Sequence, residues 1–422
     1  MDKLEKIWRF PDLRNKIIVA VGLLLVTRIL SHIPLPGVDL QRLQVFFQQN
    51  QAFGLLNMFS GGTMSNFSII LMGVGPYITS SIIFQLLGMI FPSVEQMQKE
   101  EEGKQKINQW TRMATIPLAL IQAFSMLIIL KNQGIIPQWD LSSLSIMLIS
   151  VCAGTILLMW IGEIISEKGI GNGVSLIIAL GILSSFPEQI RNTAALVSSG
   201  DVAKVIGVFS FLLIFLITIA GVIFVQEGQR NIPISYAKSM RFGAHGGVSN
   251  HLPIRVNIAG VIPIIFAMSL LVMPGVIAKY LENAKTPWIA HSATFTANLF
   301  ANQVFYGIAY FLLVVLFTYF YTSVVFKPNE ISENLQKQSG YIPGIRPGTE
   351  TKEYLKAIIT RITLFGAVFL GVIAVLPFIV QSITHIDTIV LGGTGILIIV
   401  SVVVETMRQL ESQIIMHTYD TY

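Results

Sequence analysis

The residues able to do chemistry are few, and their spacing builds no reactive centre. Six histidines (His32, His245, His251, His291, His385 and His417) lie far apart in the chain, without the interval that pairs two imidazoles on one metal ion. Cys152 is the sole cysteine, inside the apolar run Ile149-Ser150-Val151-Cys152-Ala153, so no internal disulfide or thiolate cluster can form. It fits a small packing residue between helices. No G-x-x-x-x-G-K-[ST] phosphate loop, H-E-x-x-H or G-x-S-x-G occurs, which removes three common routes to hydrolysis. Ion-coupled transporters keep ionisable groups in mid-span, where a charge is costly and retained for function. Here Glu163 and Glu405 fall at the ends of apolar runs, and only Arg28 lies some way inside one. Arg28 has two open interpretations: it faces a hydrated interior, or it snorkels to the interface beside His32.

The remaining chemistry is electrostatic. Segments 227–256 and 327–356 are long, basic and rich in Gly and Pro. Basic hairpins beside a membrane suit a large acidic partner, whether an RNA backbone or a negatively charged protein face. They also serve as topology determinants attracted to anionic lipid. Charge alone favours the second role, and the case for a macromolecular partner rests on the segments' length.

These groups must be positioned by membrane helices. The chain is 422 residues long, 53% hydrophobic and only 12% charged, half the charge a soluble domain carries. Soluble classes are excluded. Apolar runs of the length a bilayer demands give ten spans, near 16–34, 68–91, 113–130, 143–165, 173–190, 204–226, 257–280, 304–326, 357–380 and 388–407. With the N-terminus cytoplasmic, 21 of the 28 Lys and Arg residues fall on that side, 5 on the other and 2 within or at the edge of spans. This bias predicts both the count and the orientation. The charged segment Met1 to Lys16 runs into the first span without a small-residue cleavage site, so that span is expected to stay as its own insertion signal.

Two patterns bear on how the spans are arranged. Ala52 to Phe67 is hydrophobic but too short to span and is broken by Gly61-Gly62. It is either a half-helix dipping into the bundle or an amphipathic loop on the interface, since irregular backbone at membrane depth must be buried in protein. Span two carries Gly73-Val74-Gly75-Pro76-Tyr77-Ile78 and span seven carries Gly260-Val261-Ile262-Pro263-Ile264-Ile265. This shared G-V-x-P-x-I lies five spans apart, as an inverted five-plus-five repeat requires.

Taken together, Phe59-Ser60-Gly61-Gly62, Gly75-Pro76-Tyr77-Ile78, Gly169-Ile170-Gly171-Asn172-Gly173, Glu227-Gly228-Gln229-Arg230 and His251-Leu252-Pro253 resemble the SecY family of bacterial protein-conducting channels. So do Asn257-Ile258-Ala259-Gly260-Val261-Ile262-Pro263, Pro343-Gly344-Ile345-Arg346-Pro347-Gly348 and Gly392-Gly393-Thr394. The matches run in order from Ile33-Pro34-Leu35-Pro36-Gly37 to span ten. The C-terminus at Tyr422 departs from the pattern, so contacts made by a longer family tail are not carried over.

The resemblance implies an all-α polytopic membrane protein of ten transmembrane helices in two pseudo-symmetric halves, 1–195 and 196–422, hinged between spans five and six. It implies a re-entrant plug at about 53–67, including Leu55, Leu56, Met58, Phe59, Gly61 and Gly62. It assigns a central ring to Val74, Ile78, Val174, Ile178, Ile265 and Ile398, and gate polar positions to Thr79, Gln122 and Asn257. Spans two and seven, backed by three and eight, would part to release hydrophobic segments sideways. The basic loops would dock a SecA-like motor ATPase or a ribosome through Arg230, Lys238, Arg241, Arg255 and above all Arg346. SecE-like and SecG-like small membrane subunits would brace the halves. Secretory preproteins and signal sequences would be the clients, and the bacterial inner membrane the site, with both termini cytoplasmic and lipid around the spans. No cofactor, metal or enzyme activity is implied. A secondary solute transporter is the competing class, because inverted repeats and broken helices are common there.

Overall fold

The computed structural model describes residues 10–36, 38–49, 57, 60, 62–136, 140–198, 202–236, 250–281, 286–384 and 392–419. The helices of the first half of the chain are α1 (Pro11–Leu30), α2 (Leu40–Gln49), α3 (Gly75–Ile90), α4 (Pro92–Lys99), α5 (Glu101–Asn132), α6 (Leu141–Lys168) and α7 (Gly173–Ser198). Then come α8 (Val202–Glu227), α9 (Ile262–Leu281), α10 (Pro287–Ala301), α11 (Gln303–Val325), α12 (Pro328–Lys337), α13 (Thr349–Thr384) and α14 (Gly392–Tyr419). Each expected span falls on one of these, namely α1, α3, α5 to α9, α11, α13 and α14. Among the described residues five helices are long and apolar enough to cross a bilayer unaided: α5, α6, α8, α11 with its continuation α12, and α13. The pair α3–α4 adds a sixth only as a unit bent by 111°, and α7 and α9 hold the shorter apolar stretches Gly173–Pro187 and Ile262–Leu271.

Hydropathy explains which faces meet lipid. Only 17% of the apolar window of α8 is buried, against 50% in α13. Phe209, Leu212, Leu213, Leu216, Ile217 and Phe224 therefore stand exposed along α8, a surface that water would not tolerate. Prolines inside α5, α7, α9 and α13 (Pro117, Pro187, Pro274 and Pro377) interrupt no helix. In a bundle, neighbouring helices and side chains satisfy the carbonyls that proline frees.

Span two departs from expectation at its start. The apolar run begins at Ser68, yet residues 68–74 form turns and α3 begins only at Gly75. The reason is burial against protein. Thr63, Met64, Phe67, Ser68, Ile70 and Leu71 are all at most 4% exposed. Phe67 and Gly73 take positive φ of 45° and 56°, and Ser68 bridges to Pro34 through Leu35 N–H to Phe67 O (2.8 Å) and Ile69 N–H to Ile33 O (3.1 Å). Apolarity marks depth here. It does not mark helix.

The described parts of the basic segments form a small sheet. Strand β1 (Gln229–Tyr236) pairs antiparallel with β2 (Asn250–Arg255), and β3 (Gly340–Tyr341) from the second segment pairs with the far end of β1, giving the order β2-β1-β3. Ile232, Ile254, Ile342, Leu355, Ile358 and Ile359 form a small core beneath this sheet. Helix packing then closes the centre. α3 lies on α5 and α9, α9 lies on α11, and α14 lies on α7 and α8.

Candidate functional site

The site starts from two helix entrances with one local design. Gly73 (φ +56°) and Gly260 (φ +64°) each adopt the left-handed region two residues before a helix, α3 or α9. Glycine takes that conformation without the clash a Cβ would bring. A buried proline follows at the first turn in both, Pro76 and Pro263, where its missing N–H is no loss. The carbonyls of Val74 and Val261 then accept from the N–H of Ile78 (3.0 Å) and of Ile265 (3.3 Å). The repeated motif therefore places one isoleucine a single turn into each helix.

The third contributor, α7, enters through Gly169-Ile170-Gly171-Asn172-Gly173. Gly171 has φ +83°. A Cβ on Gly173 would lie 2.0 Å from the Gly162 carbonyl of α6, so only glycine permits that approach. Asn172 Oδ1 caps α7 by accepting from Ser175 N–H at 3.1 Å. Val174 and Ile178 follow on its first turns.

These elements bring the six ring candidates into one apolar cluster. Val74, Ile178, Ile265 and Ile398 are buried within it, and Ile78 and Val174 pack against it. Val74, Ile78, Ile178 and Ile265 line a cavity of about 70 Å³, together with Ser60, Met64, Met72, Gly75, Met268 and Ser269. Ser60 and Met64, from the turn segment before α3, thus lie against the same cavity as the aliphatic residues. A second cavity, of about 30 Å³, is lined by Val74, Gly73, Ser60, Thr63, Arg28 and Ser31, among others. Arg28 donates to Ser31 Oγ at 3.4 Å. Its partial burial there favours the interior-facing interpretation.

Of the plug candidates, Gly62 is described, with φ +75° and its N–H donated to Asn57 O at 2.8 Å. Leu55, Leu56, Met58, Phe59 and Gly61 lie outside the described residues. Asn57 Oδ1 accepts from Ser65 N–H (2.8 Å) and Thr63 Oγ1 donates to Ser60 O (3.0 Å), which ties the described part of this segment to itself.

The three gate candidates are not joined by hydrogen bonds. Thr79 donates to Gly75 O of its own helix at 3.1 Å. Gln122 lies on α5. Asn257 precedes α9, is 5% exposed, and donates through Nδ2 to Gln226 Oε1 (2.9 Å) and to Gly260 O (3.1 Å). Arg408 of α14 donates to Gln226 O at 2.6 Å and pairs with Glu227 at 3.0 Å. Sequence reasoning missed Gln226 and Arg408, because nothing local joins residues so far apart in the chain. It also missed Met268 and Ser269, which a helical projection from Ile265 by three and four residues would have found.

Among the docking candidates, Arg230, Arg255 and Arg346 are exposed. Arg230 stands opposite Ile254, and Arg255 opposite Gln229, at one end of the sheet. Arg346 sits in a turn between Gly344 (φ +82°) and Gly348 (φ +102°), held by Thr351 Oγ1 donating to Arg346 O at 2.9 Å. Lys238 and Arg241 lie outside the described residues.

The arrangement can be set against known proteins. A solved structure of a protein conducting channel superposes with a TM-score of 0.68 at 19% identity, covering 94% of this chain and 92% of that one. A structure concerned with the plug domain of the SecY protein gives 0.67 at 20% identity over the same shares. At such identities the likeness shows the fold. Closer in sequence, the protein translocase subunit SecY of Helicobacter pylori strain J99 is 41% identical over 96% of this chain and 97% of its own length. That of Thermus thermophilus is 39% identical over 99% and 97%. The SecY family model matches residues 68–407, which takes in both helix entrances and every ring candidate. With that match and full-length relatives at this identity, the chain belongs to the SecY family.

Proposed function

We propose that the protein is the central pore subunit of a general protein translocase, passing unfolded secretory chains across a bacterial inner membrane and releasing hydrophobic segments sideways into lipid. The observation that carries this is the convergence of six branched aliphatic side chains, from the α3 entrance and from α3, α7, α9 and α14, on one cluster, with Ser60 and Met64 against the same cavity. A narrow aliphatic neck blocks ions by dewetting. Its side chains offer no fixed charge and no hydrogen bonds, so they hold no particular sequence. A passage for arbitrary chains needs that indifference. A solute transporter would need polar ligands at this depth, and the six neck residues are Val and Ile.

In this reading the chain has ten spans in two inverted halves, 1–195 and 196–422, with both termini cytoplasmic. The segment at about 53–67 is the plug and seals the idle neck. The side exit is the seam where α3 and α9 now touch, with Thr79 on α3, Gln122 on α5 and Asn257 at the α9 entrance as its polar positions. The chain makes and breaks no bonds itself. Energy comes from a SecA-like motor ATPase or a translating ribosome docked on Arg230, Lys238, Arg241, Arg255 and Arg346, and SecE-like and SecG-like subunits brace the bundle. Sec61 in a ribosome-channel complex, a relative in fold at 20% identity, bears on the ribosome as a partner.

A stalled secretory chain tests the passage directly. It should crosslink to both Ile78→Cys and Ile265→Cys, and a chain that reaches the far side while touching neither overturns the assignment. Arg346→Glu should depress motor-driven export on the order of tenfold, as loss of a charge-assisted contact would, while the variant itself inserts normally. Unimpaired export would remove the docking role.

A further inference from the structure

Resting on the pore reading above, we propose that Arg408, Gln226 and Asn257 form a positioning network that holds the entrance of α9 and so sets how tightly the idle neck closes. The network is continuous. Arg408 on α14 donates to the Gln226 carbonyl at 2.6 Å and pairs with the Glu227 carboxylate at 3.0 Å, fixing the end of α8. The Gln226 side chain turns inward and accepts from Asn257 Nδ2 at 2.9 Å. The second Nδ2 hydrogen goes to Gly260 O at 3.1 Å. Gly260 is the left-handed residue from which α9 starts, and the next carbonyl, that of Val261, accepts from Ile265 N–H. One polar path therefore runs from α14 through the end of α8 to the backbone that aims a neck residue.

The same stretch of α14 is anchored on its other side. Gln409 Oε1 accepts from Gly171 N–H at 2.9 Å, in the turn that leads into α7 with Val174 and Ile178. Adjacent residues of one helix thus tie down the entrances of two neck helices, α7 directly and α9 through Gln226. Gln226 and Asn257 are 8% and 5% exposed, so losing either partner strands a buried polar group.

Closure at this entrance is held by the two Nδ2 bonds, to Gln226 Oε1 and Gly260 O. The path acts on the neck through Gly260 and Ile265.

Single-channel recording in planar bilayers tests the network, because open probability per channel is independent of how much protein folds. Gln226→Leu and Asn257→Leu should each raise the idle open probability on the order of tenfold, the shift expected from losing a buried hydrogen bond in a two-state element. The double variant should exceed neither single, since one path is cut in both. Arg408→Ala should act in the same direction, with Arg408→Lys restoring most of the closure. Arg408 is partly exposed, so it serves if the leucine variants fail to assemble. Unchanged open probability in assembled variants, alongside a conducting Ile78→Ser control, overturns the network and leaves the pore standing. A silent Ile78→Ser control overturns the pore reading and the network with it.

Discussion

The entrances of α3 and α9 share sequence, φ angle and first hydrogen bond, yet their surroundings differ in kind. Beside Gly73 stands the Ser60 backbone: a Cβ there would lie 3.4 Å from Ser60 Cα, already in van der Waals contact. Around Gly260 there is room, since a Cβ at that position would meet nothing within 4 Å, and restraint comes instead from the amide of Asn257. The first entrance is wedged and the second is tethered. A wedge yields only when the chain around Ser60 shifts, whereas a tether yields when a hydrogen bond changes partner. One local backbone solution can therefore be held in place in two physically different ways.

The strongest challenge to this comparison is to make each entrance's isoleucine polar. Ile78→Ser and Ile265→Ser should each raise idle ion conductance in planar bilayers by about tenfold or more, because a hydroxyl rewets an apolar neck. A response from only one would mean that the two entrances do not line a common passage. Larger side chains at the glycines should then separate wedge from tether. Gly73→Val must displace Ser60 as well as adopt a left-handed φ, so thermal unfolding in detergent should report a loss about 1–3 kcal/mol beyond that of Gly260→Val, the usual range for overpacking. Equal losses would erase the distinction. Alanine should not separate them, since both sites then carry only the left-handed penalty of roughly 1–2 kcal/mol. The smallest effect belongs to Pro76→Ala and Pro263→Ala, each expected to cost about 0.4–1 kcal/mol through the unfolded chain.

Hydropathy places each expected span on a helix, but among the described residues only five of those helices are long and apolar enough to cross a bilayer unaided. It fails at residues 68–74, where the apolar side chains Ile69, Ile70, Leu71 and Met72 belong to turns buried by protein. A hydropathy window cannot distinguish an apolar helix from an apolar turn at the same depth. The proposed neck is not legible from the residues alone. The G-V-x-P-x-I echo sets Ile78 and Ile265 at matching positions, but all six ring candidates resemble dozens of other aliphatics and need the family pattern to be singled out. Asn257 stands out for its polarity, but its partner Gln226 lies across a β-hairpin and Arg408 almost at the other end of the chain. Such contacts follow from the fold and leave no local trace. The basic segments read as protruding hairpins, and β1 with β2 forms one. That the second segment adds β3 to its edge is invisible in sequence, because a two-residue strand has no periodicity to detect.

That shared edge has a mechanical consequence. Two surface projections rooted in different helices are laced into a single plate, with Ser235 facing Tyr341 and Tyr236 facing Gly340 across the joint. A body leaning on the Arg346 turn therefore loads both roots at once. Through Val256 N–H on Gly228 O, at 2.9 Å, the plate bears on the junction where α8 ends and the approach to α9 begins. A visitor on the surface need not reach inside to be felt there.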